Sequence, residues 1–200
     1  MRDGTVLYTD IYRPEEAVSL PAIVPWSPYG KSVSYLGDGP MPGVPPVSPM
    51  TKFEGPDPAY WCKRGYAVMN VDARGAGNSE GDVLQFSTGE GRDAHDFIEW
   101  VAGRDWCNGK VGMTGNSWLA IAQWFAAAER PPHLAAIAPW EGFDDMYRDS
   151  LCIGGVPEVG FGEMALRRIC GPNRMEDNCA MIRKYPLMNA YWKDKIARVE

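Results

Sequence analysis

The sequence predicts an α/β fold with a mostly parallel sheet and helices on both faces. Three observations predict it. Short apolar runs of strand length alternate along the chain with stretches of helical periodicity. One run, at residues 66–71, is apolar at nearly every position, which is typical of a strand covered on both faces. Another run, at residues 111–114, leads into a helical stretch with no residues left for a loop.

Strands and helices follow one another from residue 5 to residue 138. The predicted strands cover residues 5–12, 22–26, 66–71, 111–114 and 134–138. A helix over residues 90–102 carries one apolar stripe, and a second helix, apolar nearly all round, follows Ser117. Between the second and third strands, residues 33–58 are rich in Pro and Gly and predict a long irregular loop.

The last sixty residues differ in character from the rest. Helical stretches over 163–170 and 191–199 stand among Gly-rich pieces, and the pattern predicts no further core strand. Such a stretch is typical of a helical insertion over the edge of the sheet where ligands bind. The sequence therefore divides into a sheet-forming part, residues 1–140, and a helical cap, residues 141–200.

Composition argues against several classes of function. The chain of 200 residues carries a net charge of −6, which argues against a nucleic-acid partner. Its five cysteines are scattered and form no C-x-x-C pair, so we expect reduced thiols and no metal site. No apolar run reaches the length of a membrane span, and the N-terminus lacks a signal-peptide core. We expect a cytoplasmic protein that contacts no membrane and uses no cofactor.

The most informative stretch surrounds Ser117. An apolar strand meets an alanine-rich helix at Gly115-Asn116-Ser117-Trp118, and only a very sharp turn can join them. A serine at such an apex is strained, with its side chain pushed out above the sheet, and the next backbone N–H can face an oxyanion. This pattern indicates the nucleophile elbow of a serine hydrolase, although Leu119 replaces the last Gly of G-x-S-x-G. The alternative is an ordinary turn with Ser117 as the helix N-cap.

Several motifs resemble one enzyme family in both order and spacing. They are Asp3–Pro14, Pro28–Lys31, Asp72–Gly81, Ile98–Trp100, Trp106–Met113, Gly115–Trp118 and Ala138–Gly142. Together they are similar to the cocaine esterase and X-Pro dipeptidyl-peptidase branch of the α/β-hydrolases, over essentially the whole chain. The resemblance implies an α/β-hydrolase fold. Residues 1–140 would be the N-terminal part of the catalytic domain and residues 141–200 a partial cap, truncated before the last strands.

The resemblance also implies roles for individual residues. Ser117 would form an acyl-enzyme with an ester or short peptide substrate, and the Tyr29 hydroxyl would join the Trp118 backbone N–H in the oxyanion hole. Without the resemblance, Tyr29 would be a turn tyrosine packed on the proline-rich loop. The glycines of residues 75–81 miss the spacing of a dinucleotide-binding fingerprint by one residue, so that segment is interpreted as a structural turn.

Residues after the strand at 134–138 are candidates for substrate binding. Trp140 ends the strand beside the elbow strand, so we expect it to wall the pocket near Ser117. Glu141, Asp144 and Asp145 follow and are expected to attract a substrate amine. The alternative for these three carboxylates is a solvated base of the cap.

A serine nucleophile needs a base, and the chain has two histidines, His95 and His133. In α/β-hydrolases the acid and the histidine follow the serine, whereas His95 precedes it. His133 lies at the start of a strand, opposite the end where Ser117 emerges. Both are expected to be structural. Glu141, Asp144 and Asp145 follow the next strand and could supply an acid. The resemblance instead implies that the triad Asp and His come from later strands, which are not among these 200 residues.

Two hypotheses of different class therefore remain. One is a serine hydrolase that acts on an ester or amide bond through Ser117. The other is a catalytically incomplete fragment, or a non-catalytic remnant that binds ligands in the same cleft. A parallel sheet cut before its last strands exposes an apolar edge, which would favour self-association.

Overall fold

The computed structural model of the chain describes residues 1–16, 19–32, 46–158, 160–164 and 175–198. Within these ranges, a five-stranded sheet forms the centre. Its strands are β1 Thr9–Tyr12, β2 Leu20–Val24, β3 Ala67–Val71, β4 Cys107–Asn116 and β5 Leu134–Trp140. Their order in space is β1-β3-β2-β4-β5, with β1 antiparallel to β3 and the other neighbours parallel. The predicted α/β fold with a mostly parallel sheet is confirmed.

Helices pack against this sheet: α1 Pro58–Cys62, α2 Thr88–Ala102 and α3 Trp118–Ala128. Helix α2 begins after Ser87, whose side chain accepts a hydrogen bond from the Glu90 N–H at 3.4 Å. Helices α2 and α3 pack against each other and against β4, and α1 packs against β3. All five residues of β3 are buried, as its apolar sequence predicts. No helix in the described ranges is both long and apolar enough to cross a bilayer, and the cytoplasmic compartment stays a prediction.

Strand β1 is shorter than the predicted strand at residues 5–12. The residues before Thr9 bond to the turn after β3: the Tyr8 N–H donates to Ser79 Oγ at 2.9 Å. The Val6 N–H donates to Glu80 Oε2 at 3.0 Å, and the Glu80 N–H donates to Val6 O at 3.0 Å. The predicted strand is therefore wrong over its first half, because the partner there is a turn and not a strand.

The chain after β5 contains short elements. They are a π-helical turn at Tyr147–Leu151, a hairpin of β6 Cys152–Ile153 and β7 Val156–Pro157, helix α4 Asn178–Lys184 and helix α5 Ala190–Asp194. Residues 161–164 are helical, and the rest of the helix predicted at 163–170 lies outside the described residues. The helix predicted at 191–199 is wrong at residues 195–198: Lys195 turns inward to Gln85 O at 2.7 Å, and Ile196 pairs with Asp145. Residue 199 lies outside the described residues. The division at residue 140 stays a prediction.

Strand β5 forms one edge of the described sheet. Along it, Ala135, Ala136 and Ala138 are exposed, although their sequence is that of a core strand. An apolar edge strand with free backbone groups is a site for pairing with further chain. The carboxyl ends of the parallel strands β2, β4 and β5 meet at one rim of the sheet, and the candidate site lies there.

Candidate active site

Ser117 occupies the apex between β4 and α3. Its backbone has φ 55° and ψ −118°, a conformation rarely adopted by any residue other than glycine. The Ser117 N–H donates to Trp140 O at 3.0 Å, and Ser117 O accepts from the Ala120 N–H at 2.9 Å, so bonds on both sides hold this conformation. The side chain caps no N–H of α3. The alternative of an ordinary N-cap serine is therefore wrong.

Leu119, the departure from G-x-S-x-G, fits because of Gly115. A Cβ at Gly115 would lie 2.5 Å from both Cβ and Cδ2 of Leu119, and Gly115 has φ +141°. The Leu119 side chain thus fills the space that a side chain at residue 115 would need, and it is fully buried. The elbow keeps its close approach of strand and helix with one glycine of the motif and not two.

Two hydrogen-bond donors converge beside Ser117. The Trp118 N–H belongs to the first residue of α3, and the Tyr29 ring packs edge-to-face on the Trp118 ring, 6.2 Å between centroids. Burial raises the pKa of Tyr29 above its ordinary value, while hydrogen bonding with the Ser117 side chain and the Trp118 N–H lowers it. The hydroxyl therefore stays protonated at neutral pH. A protonated phenol and a backbone N–H at one point have the chemistry of an oxyanion hole.

Ser117 opens into a cavity of about 470 Å³. Its apolar wall comes from parts of the chain that are distant in sequence. The wall includes Phe86, Phe143, Met146 and Leu151, together with Ile121 of α3. Three carboxylates, Glu54, Glu141 and Asp149, also line it. A pocket with an apolar wall and acidic groups beside a serine suits a small substrate that carries a positive charge.

Residues 3–194 match the X-Pro dipeptidyl-peptidase (S15) family. The chain belongs to this family. The cocaine esterase of a Rhodococcus species is 34% identical over 155 residues, which cover 74% of this chain and 23% of the esterase. The Xaa-Pro dipeptidyl-peptidase of Lactobacillus helveticus is 28% identical over 199 residues, covering 72% of this chain and 25% of that protein.

A solved structure agrees with the S15 assignment. The crystal structure of a CocE/NonD family hydrolase from Staphylococcus aureus has a TM-score of 0.89 and 36% identity to this chain. The match covers 98% of this chain and 37% of the hydrolase. The α/β-hydrolase fold and the family inferred from the motifs are thus confirmed. This S15 chain spans about a quarter of the length of the curated relatives it matches.

Of the predicted substrate-binding residues, the S15 chain brings Glu141 to the pocket. Trp140 meets Ser117 through its backbone, but its side chain is 64% exposed and does not line the cavity. Asp145 is buried, and its Oδ1 accepts from the Arg148 N–H at 2.9 Å. Asp144 also lies outside the lining, and its carbonyl accepts from the Ala197 N–H at 2.8 Å.

Glu54 and Asp149 line the pocket of this S15 chain and were missed by the sequence analysis. Glu54 stands in the proline-rich loop, where no periodic pattern indicates which side chains face inward. Its backbone has φ 60°, and its carbonyl accepts from the Asn116 N–H at 3.2 Å. Burial raises the pKa of Glu54, and the neighbouring charge of Glu141 adds to the rise.

The Asn116 side chain connects the elbow to Glu141. In the amide orientation that satisfies both of its ends, Nδ2 donates to Glu141 Oε2 at 3.2 Å and to Trp140 O at 2.9 Å. The bond fixes Glu141, which has φ 56°, at the mouth of the pocket. Within the described ranges, no three His, Cys, Asp or Glu side chains are arranged to hold a metal ion.

Neither histidine of the S15 chain lies at Ser117. His133 precedes β5, at the amino-terminal end of the parallel strands, opposite the elbow. Its Nδ1 lies 2.7 Å from Glu99 Oε2. His95 belongs to α2, with Nδ1 3.6 Å from Asp96 Oδ1, and it does not line the pocket. As expected from the sequence, both lie away from Ser117.

Proposed function

We propose that the protein containing this chain is a serine hydrolase that cleaves ester or amide bonds through an acyl-enzyme on Ser117. One observation carries the proposal. Ser117 is held at φ 55° on a strand-to-helix turn, with the Tyr29 hydroxyl and the Trp118 N–H beside it. This backbone conformation is costly for a serine, and a nucleophile that must project above a sheet requires it.

Each of these residues has a separate role in the proposed reaction. Ser117 Oγ attacks the substrate carbonyl, and the oxyanion that forms accepts hydrogen bonds from the Trp118 N–H and the Tyr29 hydroxyl. The leaving alcohol or amine takes the Ser117 proton back from the imidazolium, and water, deprotonated by the same imidazole, then releases the acid from Ser117. An imidazole must accept the Ser117 proton first. We propose that it comes from another part of the protein, because His95 and His133 lie elsewhere.

The pocket supports a substrate with an apolar group and a primary amine. Its apolar wall fits a small side chain or ring, and Glu141 and Glu54 attract an ammonium group. An α-amino ester and an Xaa-Pro peptide both have this chemistry. Asp144 and Asp145, also predicted for this role, contribute at most to the surrounding negative field because their side chains lie outside the lining.

The second candidate is a binding function without catalysis. It is favoured by one observation: neither of the two histidines in these 200 residues lies at Ser117. By itself, this segment would be catalytically incomplete and would bind ligands in the Ser117 pocket without turning them over.

Labelling with a fluorophosphonate probe separates these candidates in the full-length protein. A serine activated by a base reacts with the probe, whereas an ordinary serine does not. We expect labelling of the wild-type protein and none of the Ser117→Ala variant. Ser150→Ala is the matched control, because Ser150 lines the same pocket without the elbow geometry. Labelling that survives Ser117→Ala would exclude Ser117 as the nucleophile.

A further inference from the structure

Glu90 is a buried carboxyl close to Ser117 that the reaction itself does not touch. It is 4% exposed. Its Oε1 accepts hydrogen bonds from the Trp118 indole N–H at 2.8 Å and from the Trp26 indole N–H at 3.2 Å. Its Oε2 accepts from the Phe86 backbone N–H at 2.8 Å. Three donors from three separate segments thus converge on one side chain.

The position of Glu90 in its helix resembles a capping box but departs from it. Glu90 is the third residue of α2, and Ser87 caps the helix. In a capping box, the glutamate would accept from the N–H of the capping residue itself. Here it reaches one residue further back, to Phe86, which has φ 44°. Its other oxygen faces the core, where both indoles meet it.

The two indoles belong to the two segments that carry the oxyanion donors. Trp118 supplies one donor through its backbone N–H. Trp26 precedes Tyr29, the other donor, by three residues, and both indoles bond to the same oxygen of Glu90. An indole has a single N–H, so each ring has one orientation that satisfies it. Glu90 therefore links the segment after β2, which carries Tyr29, to the start of α3, which carries the Trp118 N–H.

Glu90 is costly to bury, which suggests that it has a role beyond packing. Burial raises the pKa of Glu90 to about 7, against the hydrogen bonds from Trp118, Phe86 and Trp26 and the charge of Lys195. A carboxylate removed from water destabilises a fold unless its bonds compensate. An apolar residue would fill the same volume without this cost, but it would hold neither indole.

We propose that Glu90 is a positioning residue of the oxyanion hole: it holds the Trp118 and Trp26 indoles, and so keeps the Trp118 N–H and the Tyr29 hydroxyl at a fixed separation. This inference rests on the proposed function of Ser117. Glu90 also bonds the backbone of Phe86, whose ring lies 4.3 Å from the Trp118 ring and walls the pocket. The same carboxyl therefore sets one wall of the pocket and both donors.

The test is Glu90→Gln in the full-length protein, assayed with an activated acyl ester. Glutamine keeps the volume but offers one acceptor oxygen, and its NH₂ group would face a donor. We expect kcat to fall about 10- to 100-fold, because donors misplaced by a fraction of an ångström stabilise the oxyanion less. KM should change less than kcat, since Glu90 does not line the pocket and reaches it only through Phe86 and Trp118. An unchanged kcat would overturn the inference.

Ser87→Ala is the matched control. It removes the cap of the same helix without touching either indole. We expect a lower Tm but a wild-type kcat. If Ser87→Ala lowers kcat as much as Glu90→Gln does, the effect comes from helix stability and the inference fails.

Trp118→Phe tests the positioning role of Glu90 if Glu90→Gln does not fold. It keeps an aromatic ring and the backbone N–H and removes the indole donor to Glu90. We expect a loss of kcat similar to that of Glu90→Gln, and a wild-type kcat would overturn the inference. Hydrolysis that persists in Ser117→Ala would instead overturn the proposed function, and this inference with it, so the two failures are distinguishable.

Discussion

Tyr29 combines ring packing with a proposed role of its hydroxyl in the oxyanion hole. Its ring packs edge-to-face on Phe53, 5.2 Å between centroids, and on Trp118. Burial raises the pKa of its hydroxyl, and the neighbouring Ser117 side chain and Trp118 N–H lower it. The two readings of Tyr29 from the sequence, a packing residue of the proline-rich loop and an oxyanion donor, are therefore compatible, and only a change confined to the hydroxyl separates them.

Tyr29→Phe is that change. The ring contacts remain, so we expect the fold and KM to be preserved in the full-length protein. We expect kcat to fall by about 10²–10³, the usual loss for one oxyanion donor. Steady-state kinetics with an activated ester measure the loss, and thermal unfolding checks the fold. Turnover close to wild type would leave Tyr29 with its packing role alone.

Glu141→Gln tests recognition of an amine. Glu141 is exposed at the mouth of the pocket, so its attraction for an ammonium group is screened by water. We expect KM to rise roughly two- to fivefold for a substrate with a free α-amine. KM for the N-acetylated substrate should not change. Asp144→Asn is the matched control, because Asp144 lies outside the lining. An equal change for both substrates would contradict amine recognition.

Local pattern explains which site residues could be predicted. Ser117 and Trp118 stand out because a strand runs directly into a helix, and this junction is visible within ten residues. Glu54 and Asp149 come to the pocket through the path of irregular segments, which no periodicity encodes. Glu90 was included in the sequence analysis only as the start of a helix. Its hydrogen bonds span 64 and 28 residues, a distance over which sequence patterns predict nothing.

At the scale of elements, the junction of β4 and α3 depends on close approach at Gly115. We expect Gly115→Ala to destabilise the protein, because its Cβ would lie 2.5 Å from Leu119 and φ +141° is unfavourable for alanine. Overpacking of this kind costs about 1–3 kcal/mol. Gly112→Ala in the same strand is the control, since its nearest contact would be an ordinary 3.6 Å. Denaturant unfolding of both variants measures the difference, and equal stabilities would refute the account.

The bounds of helices and strands were predicted well where apolar periodicity is strong. They were predicted wrongly where polar contacts determine where an element begins or ends. The buried strand β3 and helices α2 and α3 lie close to their predicted bounds. Strand β1 begins late because residues 5–8 bond to the turn at 72–80. Helix α5 ends early because Lys195 bonds inward to Gln85 and to Glu176. In both cases the competing partner is distant in sequence.

At the scale of the whole molecule, the 200-residue segment expressed alone should not hydrolyse esters. Its two histidines lie at Glu99 and on α2, so neither can deprotonate Ser117. A serine enzyme without its base loses about 10⁶ in kcat. Assay of the purified segment against an activated ester measures this. Turnover that is abolished by His95→Ala or His133→Ala would show that the base is internal.

The purified segment also tests whether the edge strand β5 pairs with other copies of the chain. Its exposed alanines favour pairing with a second copy of the chain along this edge. We expect the isolated segment to associate in sedimentation experiments, and Ala136→Lys to reduce the association. A wild-type segment that remains monomeric at high concentration would show that the edge is protected. The assay for hydrolysis is therefore best read on the monomeric fraction.

The backbone strain at Ser117, which the proposed activity requires, lowers thermal stability. A glycine at residue 117 would adopt φ 55° and ψ −118° without the strain, which costs about 1–3 kcal/mol for other residues. We expect Ser117→Gly to raise Tm by a few degrees while abolishing hydrolysis. Differential scanning calorimetry measures the rise, and a lower Tm would show that the strain is negligible. Selection for thermal stability alone would thus favour loss of the nucleophile.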